Sequence, residues 1–439
     1  MDRNLMIYGG VALTMDAGLT ELKDAVIEVE NGKIKTMSSQ PGYQPPAGVN
    51  ALKAHGSWIL PGLINGHTHV GMTLLRGVAD DKPLRPWLEE TIFPLEKKFG
   101  TTDFVYWGTK LAAAEMIRAG VTTINDMYYF EEHAARAIDE VGMRAVLGQT
   151  VIEISGVEQM DSIFKKLQDF VEKMKSYPTI RAAIAPHSIY GVSKENWVKV
   201  RQFAENHEVP IHLHLSETED ETSHWEKKYG MTPAQFFDGI GLWDQKAIAA
   251  HSTCLRAVDI EILGRHKTGI IYNPESNLKL GSKICPVVEL RQSGAQVGFG
   301  TDGVASNNNL DLLDEADVGA KLQTYRYGVG SLKTRDVLRM LTSEGAKAIY
   351  WADEIGSLEV GKSADIIVVS HDALHLQPIY CPYSQLVYSA GGQDVRHTVV
   401  AGQVLMRDRQ LLTIDEAEIL ETARQWGKKI AQQFSVKDK

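Results

Sequence analysis

Short apolar runs rich in β-branched residues recur about every 30 residues through the middle of the chain. Between them lie longer stretches with helical periodicity, such as "DFVYWGTKLAAAEMIRAG" and "SIFKKLQDFVEKMKSY". The runs predict strands over Ile59–Asn65, Val121–Asp126, Arg144–Gln149, Ile180–Pro186, Pro210–Leu215, Ile248–Ser252, Gly269–Asn273 and Gln296–Thr301. Eight strands alternating with helices predict an α/β fold, a distorted (β/α)8 barrel of the TIM type over residues 59–363, whose strand ends meet at one mouth. An open doubly wound sheet is the alternative on pattern alone.

The two ends have a different rhythm. Residues 5–55 alternate apolar and polar positions between turns at "ENGK" and "QPGYQPP", and the style resumes at "ADIIVVS" and "VRHTVVAGQVLMRDRQLLTI". Neither end makes a core alone, so residues 1–58 and 364–439 are expected to form one small β-sandwich domain together. A final helix is predicted in "DEAEILETARQWGKKIAQQF", with Ile419, Ala423, Trp426 and Ile430 on one face and Asp415 as its cap.

Composition narrows the function. Hydrophobic residues make up 44% and charged residues 23% of the 439-residue chain, which is ordinary folded, soluble usage. A formal charge of −10 leaves no basic excess for nucleic acid or an anionic membrane, so a small-molecule ligand is expected. The three cysteines Cys254, Cys285 and Cys381 contain no CxxC pair and are expected to be reduced thiols. The opening "MDRNLMIYGG" has no signal-peptide pattern, and no apolar run is long enough to span a membrane, so the cytoplasm is the expected location. The exposed barrel helices are compatible with a homo-oligomer.

The candidate chemistry sits at the predicted strand ends. In "NGHTHVG" the strand period points His67 and His69 to one face, where two imidazoles can share a metal. "HLHLSE", "AAHST" and "GFGTDG" place further histidines and an aspartate at the ends of the fifth, sixth and eighth strands. Imidazoles plus one carboxylate suit zinc or a similar divalent ion with water as the reactive ligand. Such an ion lowers the pKa of its water to about 7. A carboxylate must then move protons, and Glu217 is the candidate, with Glu219, Asp220 and Glu221 read as a solvated acidic run. His212 and His214 face the same way; His214 lies nearer the mouth and is taken as the ligand, with His212 as support one layer deeper.

"LPGLINGHTHVGMTLLRG", "HLHLSE", "AAHSTCL", "NPESNLKLG" and "GFGTDGVASNN", in this order and spacing, resemble the amidohydrolase superfamily over nearly the whole chain. The resemblance is nearest to the branch of 5'-methylthioadenosine and S-adenosylhomocysteine deaminases. It implies metal ligands His67, His69, His214 and Asp302, with Glu217 as proton shuttle, His251 orienting or deprotonating the water, and Asp302 also touching it. Binuclear members bridge two metals with a carboxylated lysine at the end of the fourth strand; here "AAIAPHSIY" offers His187, so one divalent metal, zinc, is expected. The branch also implies that His187 and Glu96, the latter in "FPLE", contact the nucleoside, with Trp87 as an apolar wall.

The implied reaction is hydrolytic deamination of an adenine nucleoside to the inosine analogue and ammonia. A metal-activated hydroxide attacks the purine carbon that bears the amino group, after Glu217 protonates the adjacent ring nitrogen. Members that take S-adenosylhomocysteine are expected to grip its carboxylate with arginines after the third strand. Here "GQTVIEISGVEQM" offers Gln149, Val151 and Ile154 and no arginine, which favours 5'-methylthioadenosine or adenosine. Asn277 is a possible purine contact, Gly71 and Gly77 are read as turn residues, and the long segment Val70–Gly100 is expected to cover the site. The alternatives are a related hydrolase of guanine or an s-triazine, and a non-catalytic scaffold of the same fold.

Overall fold

The computed structural model describes residues 3–78, 80–153 and 160–433. Eight parallel strands, Leu63–Thr68, Val121–Tyr128, Arg144–Val151, Ile180–Pro186, Ile211–Leu215, Ala247–His251, Gly269–Tyr272 and Gln296–Phe299, pair in strict sequence order. The eighth strand returns to the first through a bridge between Thr68 and Asp302, with Asp302 N–H donating to the His67 carbonyl at 3.0 Å. Side chains reinforce this seam: the Asn65 amide bonds both the Thr301 hydroxyl, at 2.8 Å, and its N–H, at 3.1 Å. A closed barrel excludes the open doubly wound sheet.

Its strands are rich in apolar residues on both sides because both faces are largely buried. Ile64, Val146, Ile248 and Ile271 point inward and pack with Ala346, Ile349, Trp351 and Ile355, which floor the barrel. Their neighbours Ile270, Val297 and Ala249 point outward to the helices. His212 pairs in register with inward-facing Ile248, and His214 with Ala250 one layer nearer the mouth.

The chain ends share one sheet of nine strands, joined where Ser57–Pro61 pairs antiparallel with Ile366–Ser370. The expected barrel strand from Ile59 is thus two elements, for Ser57–Pro61 belongs to the end sheet and only Leu63 onward to the barrel. Periodicity missed the break because both pieces are wholly buried. Ile59, Ile366 and Val368 fill the end sheet's own core, while Trp58, Leu60, Ile367 and Val369 pack against the barrel. Arg144, at the foot of the third strand, crosses this interface to a bidentate bond with Asp365, at 2.7 and 3.1 Å, both side chains 3% exposed.

The final helix, Glu416–Ala431, forms as expected, with the Asp415 side chain capping the N–H groups of Ala417 and Glu418. It packs on the barrel rather than the end sheet: Trp426 meets Phe104 of the helix Thr102–Arg118 edge to face. No helix among the described residues is long and apolar enough to cross a membrane.

Candidate metal and catalytic centre

Three imidazoles and a carboxylate converge where the seam closes. His67 Nε2 and His69 Nε2 lie 3.4 and 3.1 Å from Asp302 Oδ1, and His214 Nε2 lies 3.3 Å from His69 Nε2. The opposite ring nitrogens are engaged elsewhere. His69 Nδ1 donates to the Met127 carbonyl at 2.6 Å, His214 Nδ1 donates to the His187 carbonyl at 2.7 Å, and His67 Nδ1 stands 2.9 Å from His212 Nε2. The three Nε2 lone pairs therefore face one another across a carboxylate, and His67 Nε2 is buried without a hydrogen bond. Three converging Nε2 atoms beside one carboxylate fit a divalent cation held by His67, His69, His214 and Asp302.

Electrostatics agree. Burial pulls His67 down to about 4 and His214 well below the usual histidine range. Burial also opposes charge on His69, but its bond to Asp302 overrides this and lifts it to about 9. Asp302, which burial would raise, is held well below the usual carboxylate range by His67 and His69. Its Oδ2 accepts from Ser276 and Ser306, at 2.6 and 2.8 Å, and its Oδ1 from Gly303 N–H at 2.8 Å. Ser216, His251, Ser252 and Asp302 all have positive φ, so the backbone is strained at the fifth, sixth and eighth strand ends together.

Glu217 faces this cluster from the fifth strand end. It is 6% exposed, and burial raises its carboxyl well above the usual range, with Asp302 and Glu221 adding to the effect. His251 Nε2 lies 3.9 Å from Glu217 Oε1. The Asn277 amide donates to His251 Nδ1 at 2.8 Å, which leaves the ring proton on Nε2, toward Glu217. Asn277 thus serves His251 rather than reaching a purine, and it lies on a short helix, Pro274–Lys279. Glu221 also departs from expectation. Its carboxylate is turned inward, accepting the N–H groups of Ser216 and Glu217 at 3.3 and 3.1 Å and clamping the strained turn that carries Glu217.

A cavity leads down to the cluster, walled by Leu84, Trp87, Leu88, Phe93 and Leu280 and by Glu96, Tyr128, Tyr129, His187 and Tyr190. The roof is a helical run from Leu84 to Phe99 with a π turn at Leu88–Ile92, so the segment Val70–Gly100 does cover the site. Pro94, lacking an N–H, cannot bond back into that turn. Glu96 is half-buried and accepts from the Tyr128 hydroxyl at 2.7 Å; burial raises its carboxyl to about 7 against that bond. His187 is kept neutral by burial, at about 4.

Gln149 does not line this cavity. Strand parity turns it outward, where its amide oxygen accepts from Glu131 N–H at 3.3 Å, and Thr150 lines the cavity instead. Ile154 lies outside the described residues. Sequence reading passed over Tyr128, Tyr129, Tyr190 and Glu221; the "MYY" at the second strand end is the signal that was available for the first two.

A model of the amidohydrolase family matches residues 58–405. The chain is 41% identical over 427 residues to a 5-methylthioadenosine/S-adenosylhomocysteine deaminase of Syntrophobacter fumaroxidans, covering 96% of this chain and 97% of that one. It is 37% identical over 438 residues to a 5'-deoxyadenosine deaminase of Methanococcoides burtonii, covering 99% and 100%. A zinc-bound crystal structure of an adenosine deaminase from Xanthomonas campestris superposes with a TM-score of 0.94 at 35% identity, over 98% of this chain and 99% of that one.

Proposed function

The chain belongs to the amidohydrolase family and is a hydrolytic aminohydrolase of adenine nucleosides, and we propose that it converts 5'-methylthioadenosine or adenosine, in preference to S-adenosylhomocysteine, into the inosine analogue and ammonia. We assign one zinc ion to His67, His69, His214 and Asp302. When bound there, the metal acidifies water and so supplies the nucleophile at neutral pH.

The protein's own groups handle the protons and the substrate. Glu217, kept protonated by burial, donates to the purine nitrogen beside the amino-bearing carbon and weakens the aromatic system there. His251, fixed by Asn277, holds the attacking water in line beside Glu217. Glu217 then returns the proton it gains from that water to the amino group, the C–N bond breaks, and ammonia leaves as the ring carbonyl forms. His187 and Glu96 hold the sugar, with Trp87 against an apolar face of the ligand. The observation that carries this reading is the pairing of a buried Glu217, its carboxyl raised by burial, with a convergent three-imidazole, one-carboxylate cluster at the same strand ends.

The 5' preference rests on the wall. Among the described residues, the lining side chains beyond the polar cluster and Thr150 are apolar or aromatic, with no lysine or arginine. The cavity opens into a wider groove where Arg85 is paired with Glu89 at 2.9 Å and Lys283 with Glu219 at 2.7 Å, and which Lys227 also lines. Ammonia release from adenosine, 5'-methylthioadenosine, 5'-deoxyadenosine and S-adenosylhomocysteine tests both levels. Silence on all four refutes the reaction, and a preference for S-adenosylhomocysteine refutes the pocket argument alone.

A further inference from the structure

Tyr128, the last residue of the second barrel strand, stands between the strand end and the roof. It is 4% exposed, and its hydroxyl donates to Glu96 Oε1 at 2.7 Å. The ring is fixed from several sides. A Cβ on Gly71 would fall 2.3 Å from the Tyr128 Cδ1, so the bare glycine backbone is what lets the ring lie there. Gly71 is therefore a packing requirement and more than a turn residue. The Tyr128 N–H donates to Glu131 Oε1 at 2.8 Å, and the Tyr129 ring packs 5.3 Å away.

Glu96 is placed differently. It projects from the roof helix Phe93–Phe99, and its carboxylate reaches the cavity on a flexible side chain. Left alone such a group would sample several rotamers, and any ligand hydrogen bond would have to offset that lost freedom. With Oε1 committed to a rigid phenol on the barrel, Oε2 is left as the acceptor for a ligand. The phenol is a dependable donor, because burial and the nearby carboxylate raise it well above the usual tyrosine range.

We propose that Tyr128 is a positioning residue that fixes the Glu96 carboxylate for the adjacent hydroxyls of the nucleoside sugar. The proposal rests on reading Glu96 as the sugar-binding residue. Tyr128 makes no contact with the reacting carbon; it couples the wall of the barrel to the roof, so that sugar recognition and roof placement depend on one hydrogen bond.

The experiment compares kcat and KM for adenosine and 2',3'-dideoxyadenosine in the metal-loaded enzyme, Tyr128→Phe and Glu96→Gln. Phenylalanine keeps the ring and its packing on Gly71. Tyr128→Phe is expected to raise KM for adenosine about tenfold with kcat little changed, a loss typical of one hydrogen bond to a charged group. Dideoxyadenosine kinetics should not move, so discrimination between the two substrates falls by the same factor. Glu96→Gln should reduce that discrimination at least as far.

If Glu96→Gln erodes discrimination while Tyr128→Phe preserves it, or if Tyr128→Phe weakens both substrates equally, the role of Tyr128 is overturned and that of Glu96 stands. If the parent enzyme, or Glu96→Gln relative to it, shows no dependence on the sugar hydroxyls, the reading of Glu96 itself fails. Calorimetric affinity for inosine against 2',3'-dideoxyinosine must follow the same pattern, and this readout does not depend on turnover.

Discussion

Replacing His212 with alanine removes the partner of His67 while leaving every convergent nitrogen in place. Both rings are fully buried, and His212 Nε2 lies 2.9 Å from His67 Nδ1 with the ring planes at 89°. A cation on His67 Nε2 requires the ring proton on Nδ1, and His212 Nε2 is then its acceptor. Without that acceptor a buried N–H is left unpaired, at a cost of about 1–3 kcal/mol. The ring can recover part of this by moving its proton to Nε2, the tautomer that cannot bind a cation. Partners of this kind are worth roughly 10–100-fold in metal affinity, or about 1.4–2.8 kcal/mol.

His214→Ala, by contrast, deletes one of four donors outright. The assay is dialysis of the variants against chelators of graded strength, followed by elemental analysis. Metal retention should run parent, His212→Asn, His212→Ala, then His214→Ala with none, since the asparagine oxygen restores an acceptor. If His212→Ala is stripped while His214→Ala holds its metal, the two assignments are reversed; if His212→Ala matches the parent, the His67–His212 bond does not set the tautomer.

Glu217→Gln should lower kcat by roughly 10²–10⁴ with metal content unchanged, and metal analysis beside ammonia release will show whether the two separate. Since burial raises the pKa of Glu217 and the protonated form is the donor, kcat/KM should hold level below that pKa and fall as pH rises through it. A limb of the opposite sign would mean that the ionised form is the active one. Glu221→Gln swaps one acceptor for a donor at the turn carrying Glu217, so turnover should fall about tenfold while the melting temperature moves little; a loss of folding with unchanged specific activity would contradict this. Asp365→Ala strands Arg144 and should cost about 3–5 kcal/mol in denaturant unfolding. Because Arg144 depresses the Asp365 pKa, that contribution is present above the unfolded value and is lost as pH falls through the folded one, so the parent's advantage over the variant should shrink in acid.

Much of the site was legible because its parts are local. Each proposed ligand lies at or just past the end of a predicted strand, and a strand fixes which neighbours share a face, so His67 with His69 and His212 with His214 could be read from spacing. The failures are also informative. Gln149 and Thr150 are adjacent, and only the true register against Ile180–Pro186 and Val121–Tyr128 decides which of them faces the cavity. Glu221 looked like part of a solvated run because its neighbours Glu219 and Asp220 are exposed or ion-paired at the surface. Its own carboxylate turns inward because the helix Glu219–Tyr229 begins there and the strained turn has free N–H groups to satisfy.

By itself the sequence determined the eight-fold alternation, the shared strand style of the two chain ends and the histidines, aspartate and glutamate at the strand ends, with periodicity placing them and the family resemblance implying their roles. Only the tertiary structure decided which nitrogen of each histidine points inward, that Asn277 serves His251, that Tyr128 holds Glu96, and that Ser57–Pro61 leaves the barrel for the end sheet. These contacts join residues 26, 32 and about 300 positions apart. A buried polar atom takes its partner from whatever the closed barrel brings within about 3 Å, and that choice is made by packing rather than by sequence neighbours.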